Sequence, residues 1–239
     1  MSLPPVVKIL TTRTCRWSLR LSVALREKNV PFELVNVMQD GRKAPWFAAS
    51  TPFGKTPVLE HGGRTLPESL VICEYIDETF GGRPLLPLDP LERAWARVWM
   101  RFCDYTLIKG LSDVVRAAEV AQRTQAVAAL IDEGRRLETY RVANVTGAHV
   151  NTAGVAATAG MGADVDAGTA GGAAPYWHGG ELMLPDICYH TFFDALERTG
   201  SALQDAFLTA CQHLAEWREA LLANGAFSMA GRELDALGE

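Results

Sequence analysis

The chain has 239 residues, 48% hydrophobic and 21% charged, with a net charge of −5. That suits one large or two modest globular domains and argues against general nucleic-acid binding, which favours a basic face. The 5 cysteines are odd in number, widely spread and contain no CxxC pair, so neither a disulfide framework nor a zinc site is indicated. No run approaches a membrane span and the start, MSLPPVVKIL, lacks a long apolar segment, so no membrane association and a reducing cytosol are expected.

The first stretch, Val6 to Lys28, reads as a short strand (VVKIL), a polar turn (TTRTCRW) and an amphipathic helix. Trp17, Leu21, Ala24 and Leu25 fall on one helical face, which predicts burial there, while Arg16, Arg20 and Lys28 face elsewhere. Cys15 stands where the helix is expected to begin. A thiol there meets the positive end of the helix dipole and unpaired N–H groups, with Arg13, Arg16 and Arg20 adding charge of the same sign, which favours the thiolate. A lone cysteine is otherwise a small apolar filler, but a turn residue beside arginines is a poor core position. Ser18 occupies the place of a resolving cysteine, so Cys-Arg-Trp-Ser permits a mixed disulfide with a small thiol and offers no local partner to break it.

Phe32 to Val37 predicts a second strand, completing a βαβ unit. Asp40 to Ser50 is a polar connection holding Lys43 and Trp46. In PFGKTPVLE, Pro57 opens a strand; a phosphate loop is ruled out because Ala49 stands where its first glycine is needed. Val58-Leu59 and Thr65-Leu66 flank a His-Gly-Gly-Arg turn, a hairpin. Pro67-Glu68-Ser69 then opens a helix that ends at Gly81-Gly82, and ordinary capping accounts for Glu68 and Ser69 on their own.

A cysteine opening the first helix, Trp46-Phe47 before PFGKTPVLE, and Pro-Glu-Ser opening a later helix, in this order, resemble the cytosolic glutathione transferases. Cys15 matches the cysteine of the omega class, and Trp17-x-x-Arg20 has a zeta-class flavour. The resemblance implies an α/β thioredoxin-like domain over 1–84 followed by an all-helical domain over 90–239. It further implies glutathione as co-substrate and no metal. Thr56 and a cis Pro57 would meet the cysteinyl part of the tripeptide, Glu68 and Ser69 its γ-glutamyl end, and Lys43 would contact it as in the omega class. Arg16 departs from the omega pattern, which has proline after the cysteine. The partners implied are a small electrophilic or disulfide substrate and a second copy of the chain, in a homodimer.

Pro84 to Pro90 is a linker, and Asp89-Pro90-Leu91-Glu92 a helix start. A long helix to about Ala118 carries Trp95, Trp99 and Phe102, an aromatic stripe expected to pack on the first domain. By the resemblance, Trp99, Phe102 and Tyr105, with Trp17, are candidate linings of the substrate pocket. A second helix is expected over about Thr124–Val142, then an Ala/Gly-rich insertion at 146–174, either without a task or a lid. Leu184 starts a helix in which Asp186 keeps half of a capping box whose hydroxyl residue is replaced by Met183, and Leu203 to Asn224 reads as the last long helix.

Three functions fit. Leading is a glutathione-dependent thiol transferase or reductase working through the Cys15 thiolate, by deglutathionylation or reduction of a dehydroascorbate-like molecule. Glutathione conjugation or isomerisation, with Thr14 or Cys15 stabilising the substrate thiolate, is the second, and a non-catalytic binding module the third.

Overall fold

The structure, a computed structural model, describes residues 6–40, 42–145 and 175–238. β1 (Val7–Thr11), α1 (Ser18–Glu27) and β2 (Phe32–Asn36) form the βαβ unit, with β1 parallel to β2 and Ile9 opposite Leu34. β5 (Val58–His61) runs antiparallel to β1, and β6 (Arg64–Pro67) antiparallel to β5 across the expected hairpin. The sheet order is therefore β2-β1-β5-β6. The polar connection is more structured than its sequence suggests: β3 (Met38–Gln39) pairs with β4 (Arg42–Lys43), and a 3₁₀ turn follows at Pro45–Ala49. α2 (Ser69–Thr79) packs beside α1, completing a thioredoxin-like unit.

The remainder is helical. α3 (Pro90–Phe102) starts as the sequence predicts, with the Asp89 carboxylate accepting the N–H groups of Leu91 and Glu92 at 2.9 Å. The expected long helix is interrupted by a π-helical turn, Cys103–Ile108, before continuing as α4 (Lys109–Arg116). α5 spans Val120–Val145, longer than expected. The insertion at 146–174, and with it the question of a lid, lies outside the described residues.

α6 (Leu184–Thr199) is the buried spine of this half. Asp186 accepts the N–H of Met183 at 2.9 Å and, on its other oxygen, the N–H of Trp177 and the indole N–H of Trp217, both at 2.8 Å. Burial pushes this carboxyl up to about 6 against the pull of those donors. The expected last helix is really α7 (Ser201–Ala210) and α8 (Gln212–Ala223), followed by α9 (Gly225–Asp235). The chain leaves helical geometry at Cys211 (φ −132°, ψ 73°), yet Phe207, Cys211, Leu214, Trp217 and Leu221 are all buried. An apolar stripe that continues across a break reads as one helix.

α5 meets α7 closely at Gly134, where an added Cβ would lie 2.6 Å from two ring atoms of Phe207 and 3.0 Å from the Cys211 sulfur. Gly134→Ala is therefore expected to lower stability by about 1–3 kcal/mol in urea unfolding, although alanine is the better helix former. A gain in stability would show that the two helices do not pack this way.

The two halves are joined through α1. Arg16 donates to both oxygens of Asp194 on α6 (2.8 and 2.7 Å) and to Asp235 on α9 (2.9 Å). Arg26 pairs with Glu233. Arg97 of α3 holds Glu74 of α2 at 2.6 Å. As a result α1 is buried on nearly every side, Arg20 included.

Candidate functional site

A cleft of about 570 Å³ opens where the β1–α1 turn, the residues before β5 and the start of α2 converge. Cys15, Trp17, Lys43, Thr56, Pro57, Glu68 and Ser69 all line it. So do Thr12, Thr14, Met38, Phe53, Lys55 and Pro67. Of these, Thr14 stands beside Cys15 in the sequence, and Phe53, Lys55 and Pro67 lie within the PFGKTPVLE and Pro-Glu-Ser stretches, without being singled out there. Met38 arrives from a connection whose course no periodicity reveals.

Cys15 lies in the turn before α1, not in the helix: its N–H donates to the Thr12 carbonyl at 3.0 Å and its carbonyl accepts the Ser18 N–H at 3.1 Å. α1 starts at Ser18, one turn later than expected, because residues 15 to 17 close tight turns with bonds of their own before the regular ladder begins. Cys15 is 7% exposed, and what it exposes faces the cleft. Trp17, expected on the buried face, is instead 39% exposed and forms part of the wall. Two of the three arginines expected to add positive charge beside the thiol are engaged elsewhere: Arg16 with Asp194 and Asp235, Arg20 with Asp104. Arg16, the departure from the omega pattern, thus ties the halves together and is not among the residues lining the cleft.

Across from Cys15 the Thr56–Pro57 peptide bond is cis. The pairing of β5 with its neighbours ends at Val58, which leaves Thr56 beyond the ladder at the cleft. Glu68 has φ +74°, a region a glutamate adopts at a cost of about 1–3 kcal/mol and one that recurs at ligand clamps. It is the N-cap of α2, but its side chain makes no capping hydrogen bond, so ordinary capping does not account for it. α2 thus begins at the cleft, with Glu68 and Ser69 on its lining and no side-chain cap on its first N–H groups. The Ser69 hydroxyl accepts from Arg20 Nη1 at 3.3 Å. Lys43 donates to the Gly54 carbonyl and lies 5.6 Å from the centre of the Phe47 ring.

Trp99, Phe102 and Tyr105 do not line this cleft. The Trp99 ring sits 5.1 Å from Phe102, 4.1 Å from Tyr140 and 5.9 Å from Trp177, and Trp95 lies 5.8 Å from Tyr140. The ring contacts of the aromatic stripe thus lie within the helical half, and the stripe belongs to a core cluster that also includes Ile72, Cys73 and Ile76 of the first domain. Tyr105 is 66% exposed beneath the Arg101 guanidinium at 4.6 Å.

The other thiols are sealed in. Cys73, Cys103, Cys188 and Cys211 show no exposure. Burial raises the Cys73 and Cys103 thiols well above their ordinary value, and pushes Cys188 up to about 12 and Cys211 up to about 11. Among the described residues no group of His, Cys, Asp or Glu is placed to hold a metal ion, and no helix is long and apolar enough to cross a membrane.

A thioredoxin-like sheet joined to a helical bundle is the architecture shared with solved glutathione transferases. Residues 10–84 match the model of the family described as "Glutathione S-transferase, N-terminal domain". The chain is 35% identical over 117 residues to a probable glutathione S-transferase of Nicotiana tabacum, a match covering 49% of this chain and 52% of that one. It is 37% identical over 100 residues to glutathione S-transferase omega-2 of Rattus norvegicus, covering 41% and 40%. The chain spans about half the length of the curated relatives it matches. In three dimensions it superposes on the tau class enzyme MiGSTU of Mangifera indica with TM-score 0.76 and 25% identity, covering 96% of each chain. Glutathione transferase Omega 3C of Trametes versicolor shares the fold, with TM-score 0.68 and 20% identity over 95% of this chain and 90% of that one.

Proposed function

We propose that the protein is an enzyme, a glutathione-dependent thiol transferase, in which residues 1–84 bind the tripeptide and Cys15 carries the chemistry. One observation supports this most: a cysteine lines the same cleft as Thr56, Pro57, Glu68 and Ser69, and no second cysteine lines it. Glutathione is the co-substrate. Its γ-glutamyl carboxylate suits the N–H groups of α2 and the Ser69 hydroxyl, and its cysteinyl backbone suits Thr56, which no sheet partner occupies. Lys43 and Lys55, which also line the cleft, are further cationic contacts for the tripeptide.

The Cys15 thiolate attacks the glutathionyl sulfur of a mixed disulfide. A Cys15–glutathione disulfide forms, and the substrate sulfur departs and takes a proton. The thiolate of a second glutathione attacks that disulfide, releasing oxidised glutathione and restoring Cys15. The net exchange consumes one free glutathione: its sulfur forms one half of the oxidised glutathione, the substrate's glutathionyl group forms the other, and the substrate sulfur leaves as a thiol. The same reading includes a homodimer working in a reducing cytosol, as the family resemblance implies. The test is turnover of a glutathionylated peptide by the wild type and by Cys15→Ser.

A second reading, conjugation of glutathione to an electrophile, is favoured by Thr14. Its hydroxyl is beside Cys15 in the cleft and 3.3 Å from the Thr12 hydroxyl, and so could steady the thiolate of bound glutathione. Under that reading Cys15→Ser retains activity towards an aryl halide.

A further inference from the structure

Arg20 is fully buried between the two halves of the molecule. Its Nη1 donates to Asp104 at 2.9 Å and to the Ser69 hydroxyl at 3.3 Å, Nη2 donates to the other Asp104 oxygen, and Nε donates to Thr191 at 3.2 Å. One guanidinium therefore touches the floor of the cleft, the spine of the helical half and the π-helical turn Cys103–Ile108. A π turn is a rare backbone state, kept where a specific contact requires it. It holds one more residue than an α turn. Conversion to the α register would rotate the flanking residues by about 100° relative to each other, and with them the Asp104 carboxylate away from Arg20.

We infer that this π turn is a conformational relay that responds to occupancy of the Ser69 end of the cleft, and the inference rests on the reading of that end as a glutathione site. A serine hydroxyl has one hydrogen to give and lone pairs to accept. With a ligand carboxylate bound, Ser69 gives its hydrogen to the carboxylate and is polarised as an acceptor for Arg20, so the bond from Arg20 tightens. Arg20 held more firmly fixes Asp104, and Asp104 fixes the π register. The outer face of that turn carries Tyr105, 66% exposed, so the state of the cleft reaches a surface on the other half of the molecule. Linkage requires the converse: locking the π register strengthens binding at Ser69 by the same factor.

Hydrogen–deuterium exchange of the full chain tests this, with S-methylglutathione as a ligand that cannot form a disulfide. Saturation is expected to slow exchange across 103–108 by about fivefold, together with the peptides holding Thr56 and Ser69. Ser69→Ala, saturated at higher ligand concentration, is expected to keep the protection at Thr56 and lose it at 103–108. Asp104→Asn is expected to exchange faster at 103–108 without ligand and to bind about fivefold more weakly. Protection at Thr56 and Ser69 with no change at 103–108 in the wild type overturns the relay and leaves the glutathione site standing. No protection anywhere overturns both.

Discussion

Cys15→Ser is expected to lower glutathione-dependent reduction of a glutathionylated peptide by about 10³-fold or more, in kcat, with little change in the affinity for S-methylglutathione. The serine hydroxyl keeps nearly the volume of the thiol and the turn's backbone bonds, Cys15 N–H to Thr12 and Ser18 N–H to Cys15, so the cleft should persist. What is lost is the only thiol among the described residues that line the cleft, because Cys73, Cys103, Cys188 and Cys211 are out of reach in the core. Binding without turnover of any disulfide or electrophile in the wild type would point instead to a non-catalytic module. Equal rates in the two proteins would rule out the thiol mechanism, and a gain in aryl-halide conjugation by the serine variant would select the second reading.

Arg20→Met is expected to cost about 3–5 kcal/mol of unfolding free energy. The methionine fills the cavity with apolar atoms, but Asp104 loses both of its guanidinium bonds at a site where its side chain is 21% exposed, and Thr191 and Ser69 each lose a donor. Most of the loss is the penalty of leaving a carboxylate unpaired, not the net worth of the pair. The double variant Arg20→Met with Asp104→Leu should therefore recover a large part of it. Urea denaturation reads both, and a double variant no better than the single one would place the cost in the cavity's shape and not in charge.

The same arginine shows how far local pattern reading carries. Leu21, Ala24 and Leu25 are recognisable as a core face from their spacing, and they are buried. Spacing also sends Arg16 and Arg20 to solvent or to the thiol. That fails because α1 is covered on a second side by α6 and α9, and the carboxylates that receive these arginines lie 178 and 84 residues further along. No window around residue 20 contains Asp104. For the same reason the strands, the hairpin and the start of α3 could be read from turn and cap residues alone, whereas the π turn could not, since it follows from a contact between distant parts of the chain.

The site divides likewise. Thr56, Pro57, Glu68 and Ser69 were recognisable by resemblance, and the cleft brings them together with Cys15. Trp99 and Phe102 share a stripe suitable either for a pocket or for a core, and the partners that decide it, Tyr140 and Trp177, come from other segments. Glu68 is the instructive case: its sequence context reads as a helix cap, and its backbone at φ +74° with no capping bond shows a different use of the position.

The most direct test of Cys15 as the nucleophile in a glutathione cleft is thiol alkylation of the native protein, mapped by peptide mass and timed with and without S-methylglutathione. Cys15 is expected to react first and alone and to be protected by the ligand, with the remaining cysteines reacting only after unfolding. Alkylation of Cys15 as slow as that of Cys188, or unaffected by the ligand, would contradict that role.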